Sequence, residues 1–381
     1  GVAQDDKQIV DIVGWRLDDV VDKIKGPKGT KVRLEIVRGE GASAKRKIVE
    51  IIRDKVRLED RAAKSKVLEL RNEKVGVIEI PSFYDGLTKN VITELAKLKK
   101  DKVNSIIVDL RDNGGGALKE ANLLSGLFFD AGPTVQIRDA RNKVNVLKDR
   151  DGKTYYDGPL IVLVNRYSAS ASEIFAAALQ DYGRAVIVGE QTFGKGTVQQ
   201  HRTLARLYDL YEKPIGSVQY TISKFYRING GSTQLRGVMP DISFPTAIDA
   251  QDTGESVEDN ALPWDQIRQA SYGVGNIANK FTTLTKAHAK RIQTNPEFGY
   301  IQEDIIKYKA ESDDKTISLN EAARVTEREE NEQRRLTRLN ERLTRAGLDK
   351  VKSFDEKPKD FEFEDAFLLE AANIAIDLEN F

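Results

Sequence analysis

Two short runs rich in Ile, Leu and Val, Val103–Leu110 and Leu160–Val164, each lead into a string of small and polar residues and then into a helical pattern. An apolar run of this length bounded by turn residues marks a strand buried on both faces, as in a parallel sheet. The first run ends in Arg111-Asp-Asn-Gly-Gly-Gly116, with a helical pattern over Ala117–Leu127. The second ends in Asn165-Arg-Tyr-Ser-Ala-Ser-Ala-Ser-Glu-Ile174, with a helix predicted over Ala171–Leu179 and a strand over Ala185–Val188. Upstream, Val75–Ile80 reads as a strand and Leu87–Leu98 as an amphipathic helix. This alternation predicts a partly parallel sheet with helices packed on it, an α/β core over residues 59–247. Ser217–Ile228 alternates for longer and suits an antiparallel strand or hairpin.

The flanks differ. Residues 1–58 read as a small α/β unit: a strand over Gln8–Val13, a helix over Trp15–Lys25, a turn at Gly26–Gly29, and strands over Lys31–Val37 and Lys47–Arg53. Glu59–Glu73 reads as a connecting segment. From residue 248 to 381 the patterns are mainly helical. Glu327–Arg345 is dense in charge, with Leu336, Leu339 and Leu343 on one face. That pattern fits a solvated helix with i,i+4 charge pairs packed by its leucine stripe, or a partner-binding helix.

Composition narrows the chemistry. The 60 basic residues balance 60 acidic ones, which argues against a nucleic-acid binder. No apolar run approaches the ~18 residues of a membrane span. The chain has no cysteine, which excludes thiol nucleophiles and disulfides and fits an oxidising compartment. It opens on Gly1 rather than Met, as a processed or truncated chain would. Neither a phosphate loop nor a His-Glu-x-x-His string occurs, so no cofactor is expected.

The candidate site residues lie in five strings. Ser168, Ser170 and Ser172 alternate with alanines just before a predicted helix. Serines there cap helix N–H groups, but the same place suits a nucleophile, because the helix N-terminus is electropositive and the next backbone N–H can hold an oxyanion. Lys195 stands between two glycines in Thr192-Phe-Gly-Lys-Gly-Thr197. It reads as a surface turn lysine or as a general base, a role that requires the neutral amine and therefore desolvation. Only His201 and His288 exist as histidine bases, and a Ser/His pair with His201 is the rival arrangement. Gln199 lies four residues beyond Lys195, on the same face if the segment is a strand. Asp109–Gly116 supplies either an oxyanion hole or a strand–helix turn. Asp181 caps the helix end or makes a salt bridge there.

Together, Asp109–Gly116, Arg166–Glu173, Gln180–Gly183, Gly189–Gln199, Gly230–Thr233 and Gly237–Ile242 resemble the carboxyl-terminal processing proteases, the S41 serine peptidases. Gly14–Asp19, Lys25–Gly29 and Glu258–Trp264 are similar to that family's tail-specific subgroup. The resemblance implies a crotonase/ClpP-like core, preceded by a partial PDZ domain and followed by a helical C-terminal domain. It implies Ser170 as nucleophile, Lys195 as general base, Gln199 as the residue orienting the lysine, and Ala171 with Gly115 as oxyanion hole. Asp181 matches a supporting position. The implied activity is ATP-independent endoproteolysis of envelope proteins selected by an apolar C-terminal tail, in the periplasm and in association with the inner membrane. A helical-repeat lipoprotein adaptor is the implied partner. The early PDZ strand and carboxylate loop are expected to precede Gly1. The alternative is a non-catalytic PDZ scaffold of the cell envelope.

Overall fold

The computed structural model describes residues 1–39, 44–54, 62–204, 216–249, 252–313 and 316–381. They form two compact units, Gly1–Ala62 and Ala63–Phe381.

The first unit is a three-stranded antiparallel sheet of β1 (Val2–Gln4), β2 (Lys31–Arg38) and β3 (Lys45–Ile52), with helix α1 (Leu17–Ile24). Arg53 ties the helix down. Its guanidinium donates to the Lys23 and Ile24 carbonyls and to Gln4 Oε1, placing a cation on C-terminal carbonyls that lack helical partners. The strand expected over Gln8–Val13 is absent. Only Val10 pairs, with Val2, and Asp11 Oδ1 then accepts from the Val13 N–H to turn the chain into Gly14.

The second unit is built on a six-stranded sheet. Strands β4 (Lys64–Leu70), β5 (Glu73–Glu79), β6 (Ser105–Asp109), β9 (Leu160–Val164), β10 (Val186–Gly189) and β13 (Ile242–Ser243) run in the order β13-β10-β9-β6-β5-β4. All neighbours are parallel except β4 and β5. The expected connector Glu59–Glu73 is thus largely a strand, although residues 59–61 lie outside the described residues. Arg71 and Asn72 both take positive φ, the two-residue hairpin geometry that matches strand twist. Helices α2 (Leu87–Lys100), α3 (Leu118–Ser125) and α4 (Ala171–Asp181) cover one face.

Each central strand divides its side chains between two cores, as period-two geometry requires. Leu160, Val162 and Val164 face α2, α3 and α4, while Ile161 and Leu163 face the other way. That second face is covered by α5 (Phe281–Thr294) and α8 (Ala366–Asn380). Helices from beyond residue 248 therefore help to close the core of this unit. The reason lies in α8, whose Ala371, Ala372, Ile374 and Ala375 are fully buried. A helix apolar on several sides must be enclosed, and a parallel sheet must be covered on both faces. Between these two helices, Arg291 pairs with Glu370 and Asp377, and Arg71 also reaches Asp377.

Helices α6 (Pro296–Asp313) and α7 (Glu321–Arg345) complete the helical region. Leu339 and Leu343 are buried and Leu336 half-buried, as the leucine stripe predicts. A second sheet, ordered β11-β12-β7-β8, joins β7 (Gly132–Asp139), β8 (Val144–Asp149), β11 (Thr197–Thr203) and β12 (Ser217–Tyr226), all antiparallel. No helix among the described residues is long and apolar enough to cross a membrane.

Ile374→Ala should lower the unfolding free energy by about 2–5 kcal/mol, the range for emptying a buried aliphatic site. Leu319→Ala, at a side chain 94% exposed, should change it by less than about 0.5 kcal/mol. Urea unfolding midpoints of the two variants check the difference.

Candidate active site

The C-terminal ends of β6 and β9 carry adjacent loops, and buried polar groups stitch them together. Asn113 is fully buried and central. Its carbonyl accepts from the Ala169 N–H and from Ser172 Oγ, and its side-chain amide donates to the Ile80 carbonyl. Ser168 Oγ donates to the Leu110 carbonyl and accepts from the Asn165 N–H. These bonds separate the three alternating serines. Ser168 and Ser172 have no exposed surface and hold loops together, whereas Ser170 is half-buried.

Ser170 is also strained. It takes φ 57° and ψ −109° directly before α4, a region that costs a non-glycine residue energy and persists only when its surroundings over-determine it. Its N–H donates to Glu173 Oε2 at 2.7 Å. Gly115 approaches from the β6 loop at φ 100°. A Cβ there would lie 2.7 Å from the Ala169 carbonyl oxygen, 2.9 Å from Ser170 Cβ and 3.0 Å from the Ala171 nitrogen, so no side chain fits.

Glu173 joins this loop to the lysine. It is wholly buried and accepts four hydrogen bonds. Oε1 takes the Thr192 hydroxyl and the Gly194 N–H, both at 2.7 Å. Oε2 takes the Ser170 N–H at 2.7 Å and the Lys195 N–H at 3.0 Å. One carboxylate oxygen thus sets the backbones of Ser170 and Lys195 side by side. Burial pushes the Glu173 carboxyl up to about 7, against the four donors that favour its ionised form. Thr192 Oγ1 in turn accepts from the Val238 N–H at 2.7 Å.

Lys195 is half-buried. Its Nζ donates to Gln199 Oε1 at 3.0 Å, and Gln219 Nε2 donates to the same oxygen at 2.7 Å. Among the described residues no hydrogen bond joins Lys195 Nζ to Ser170 Oγ. The glycine after the lysine is obligatory, since a Cβ on Gly196 would sit 2.7 Å from the Gln234 nitrogen.

The structure brings Ser170, Ala171, Gly115, Lys195 and Gln199 into one neighbourhood, but not Asp181. That residue ends α4, about 16 Å from Ser170 by helical rise. There it pairs with Arg227 at 2.6 Å and accepts from Asn229 at 2.8 Å, anchoring the chain beyond β12. The Gly115 N–H donates to Asn113 Oδ1 at 2.9 Å, so it is engaged in this arrangement. His201 Nε2 lies 2.7 Å from Ser217 Oγ on β12 and has no bond to Ser170 among the described residues. Sequence reasoning passed over Glu173, Thr192 and Asn113. The spacing Ser170-x-x-Glu173 carried a signal for the first, because a glutamate three residues after a helix-capping serine reaches back to the cap N–H.

Residues 74–244 match the family model for Peptidase family S41, and residues 248–380 match that for the C-terminal domain of tail specific protease. The chain is 52% identical over 381 residues to the Tail-specific protease of Haemophilus influenzae, covering 99% of this chain and 54% of that protein. The chain belongs to peptidase family S41. It spans about half the length of the curated relatives it matches. Among solved structures, a photosystem II D1 C-terminal processing protease is 26% identical over 65% of each chain, with a TM-score of 0.44.

Membership in peptidase family S41 agrees with the resemblance carried by Asp109–Gly116, Arg166–Glu173 and Gly189–Gln199, three strings that Glu173 and Asn113 tie together. The second unit has mixed α/β content and a helical C-terminal region.

The raised Glu173 value has a definite sign. Its ordinary value is 4.5, so the native state holds an extra proton between about pH 4.5 and 7. The stability this group contributes is present below about pH 4.5 and lost as pH climbs through about 7. Glu173→Gln removes that dependence. The Tm of the parent minus that of the variant should therefore fall between about pH 4.5 and 7 and level off above, as followed by calorimetry. A difference flat with pH would mean that Glu173 stays ionised throughout.

Proposed function

We propose that the chain is the catalytic part of an ATP-independent serine endoprotease that uses a Ser170/Lys195 dyad. The observation that carries this reading is the shared Glu173 oxygen, which fixes the only partly exposed serine of its string beside a lysine. Ser170 Oγ attacks a peptide carbonyl carbon and Lys195 Nζ accepts the hydroxyl proton. The tetrahedral intermediate collapses, the carbon–nitrogen bond breaks, and Lys195 returns the proton to the leaving amine. Water, deprotonated by the same lysine, then hydrolyses the ester. Gln199 Oε1 orients the amine without adding a charge. Proton transfer requires Lys195 Nζ to swing toward Ser170 Oγ, a closure that catalytic groups complete when substrate arrives.

Ala171 and Gly115 form the oxyanion hole in this reading. The close approach of Gly115 to the Ala171 nitrogen supports the pairing. The Gly115 N–H must exchange its bond to the Asn113 amide for one to the developing oxyanion, a stronger acceptor because it is charged. Asp181 acts as structural support, in keeping with its ion pair to Arg227.

The finer architecture belongs to the same proposal. Residues 1–58 are read as part of a PDZ domain, 59–247 as a crotonase/ClpP-like core and 248–381 as a helical C-terminal domain. A PDZ domain would select an apolar C-terminal tail by strand addition. The substrates are envelope proteins, the compartment is the periplasm near the inner membrane, and a helical-repeat lipoprotein is the adaptor. The 52% identity to the Tail-specific protease of Haemophilus influenzae supports this group of inferences.

Cleavage of an unfolded protein with an apolar C-terminus tests the catalytic reading. Ser170→Ala and Lys195→Ala should each abolish turnover, and Gln199→Ala should lower kcat by about 10-fold or more while sparing KM. His201→Ala should retain activity. Equal activity in all variants would remove the dyad, and loss only in His201→Ala would install the histidine as base. A parent that binds tail peptides yet resists serine-reactive probes would be a scaffold.

A further inference from the structure

Strand β11 stands at the edge of its sheet and pairs only with β12 among the described residues. The direction of its free main-chain groups follows from the ladder. The Leu204 N–H donates to the Gly216 carbonyl at 3.0 Å, so this is a hydrogen-bonded pair. Antiparallel pairs alternate between bonded and non-bonded. The registered pairs Arg202↔Val218 and Gln200↔Tyr220 are therefore bonded to each other, while Thr203↔Ser217, His201↔Gln219 and Gln199↔Thr221 turn their main-chain groups outward. The N–H and C=O groups of Gln199, His201 and Thr203 thus line an edge that is open among the described residues.

This edge begins at the candidate dyad. Gln199 offers its side chain to Lys195 Nζ and its main chain to the open side. A register shift between Val198 and Gln199 marks a bulge, the device by which a strand re-aims a side chain beside a site. Exposed edges are ordinarily blunted by lysine, proline or a covering element, and the outward positions of β11 carry Gln, His and Thr instead.

We propose that the open edge of β11 binds the extended main chain of the substrate as an added strand, holding the residues on one side of the scissile bond beside Ser170. The inference rests on the protease reading and names how that site takes hold of a polypeptide irrespective of sequence. An added strand would run about 4.8 Å from β11, in register with Gln199, His201 and Thr203. Main-chain bonds at every second residue would then supply binding, and side chains would contribute little to selection at this point.

Two measurements on the full chain test it. Peptide substrates in which single amides flanking the scissile bond are replaced by esters should show a period of two. Each ester that removes a donor to β11 should cost about 2- to 10-fold in kcat/KM, the worth of one hydrogen bond, and the intervening ones nothing. His201→Pro deletes an outward N–H at an edge position where proline is tolerated and should lower kcat/KM for polypeptides by a similar factor. His201→Ala keeps that N–H and should not. Labelling of Ser170 by a fluorophosphonate should be unchanged in both variants. A flat ester profile with intact labelling, or equal losses in the two variants, would overturn the proposal, as would edge-to-edge dimers that bury β11. Failure of the parent to label or cleave would instead overturn the protease reading. If His201→Pro alone loses labelling, the ester series on the parent decides.

Discussion

The Glu173 carboxylate is the interaction on which the arrangement around Ser170 depends. A buried carboxylate is costly unless every lone pair finds a donor, and here four donors converge on it. Three of them are backbone N–H groups at the two places where the chain must be held against its preference: the strained Ser170 and the glycine-flanked Lys195. The acid thus acts as a clamp between segments that the chain itself separates by helix α4 and strand β10. Because Thr192 bonds both Glu173 and the Val238 N–H, the clamp extends into the chain before β13, so the sheet and the loops are fixed together.

A second constraint comes from the parallel sheet. Strands such as Leu160–Val164 are apolar on both faces and cannot fold alone against water. Helices α2, α3 and α4 cover one face, and the other waits for α8, supplied by the last residues of the chain. The charged groups between α5 and α8 follow from this. Glu370 and Asp377 are nearly fully buried, which is tolerable because Arg291 and Arg71 reach them and His288 Nδ1 lies 2.9 Å from Glu370 Oε1. The helical region therefore maintains the sheet from which the Ser170 loop projects, whatever else it contacts.

How much of this was legible varied with the physics of each segment. Leu160–Val164 appears as expected because five consecutive apolar residues suit only a doubly buried strand. Gln8–Val13 shows the right alternation yet forms one bridge, since a strand exists by its partner and the chain turns away at Asp11–Gly14. Glu59–Glu73 looked like a connector, because Lys64–Leu70 is an edge strand whose polar alternation resembles a solvated linker. Strand β8, also at a sheet edge, escaped notice for a similar reason. Asp181 lay close in sequence to the site strings but stands a full helix away from Ser170, since 11 helical residues carry the chain to the far end of α4.

Residue order alone specifies the alternation of buried strands and helices, the absence of thiol chemistry, and the short list of a serine string, a glycine-flanked lysine and a glutamine four residues on. Those properties are local. They depend on residue type and spacing along a few turns or one strand. Folding in three dimensions selects which serine of three is accessible, leaves no room for a side chain at Gly115 beside the Ala171 nitrogen, and engages the Gly115 N–H with Asn113. It alone decided that a glutamate read as an ordinary helix residue would bind Ser170 to Lys195. Burial and hydrogen-bond satisfaction are properties of groups brought together from distant positions, and no spacing along one chain records which donors will meet around a carboxylate until the core has closed over it.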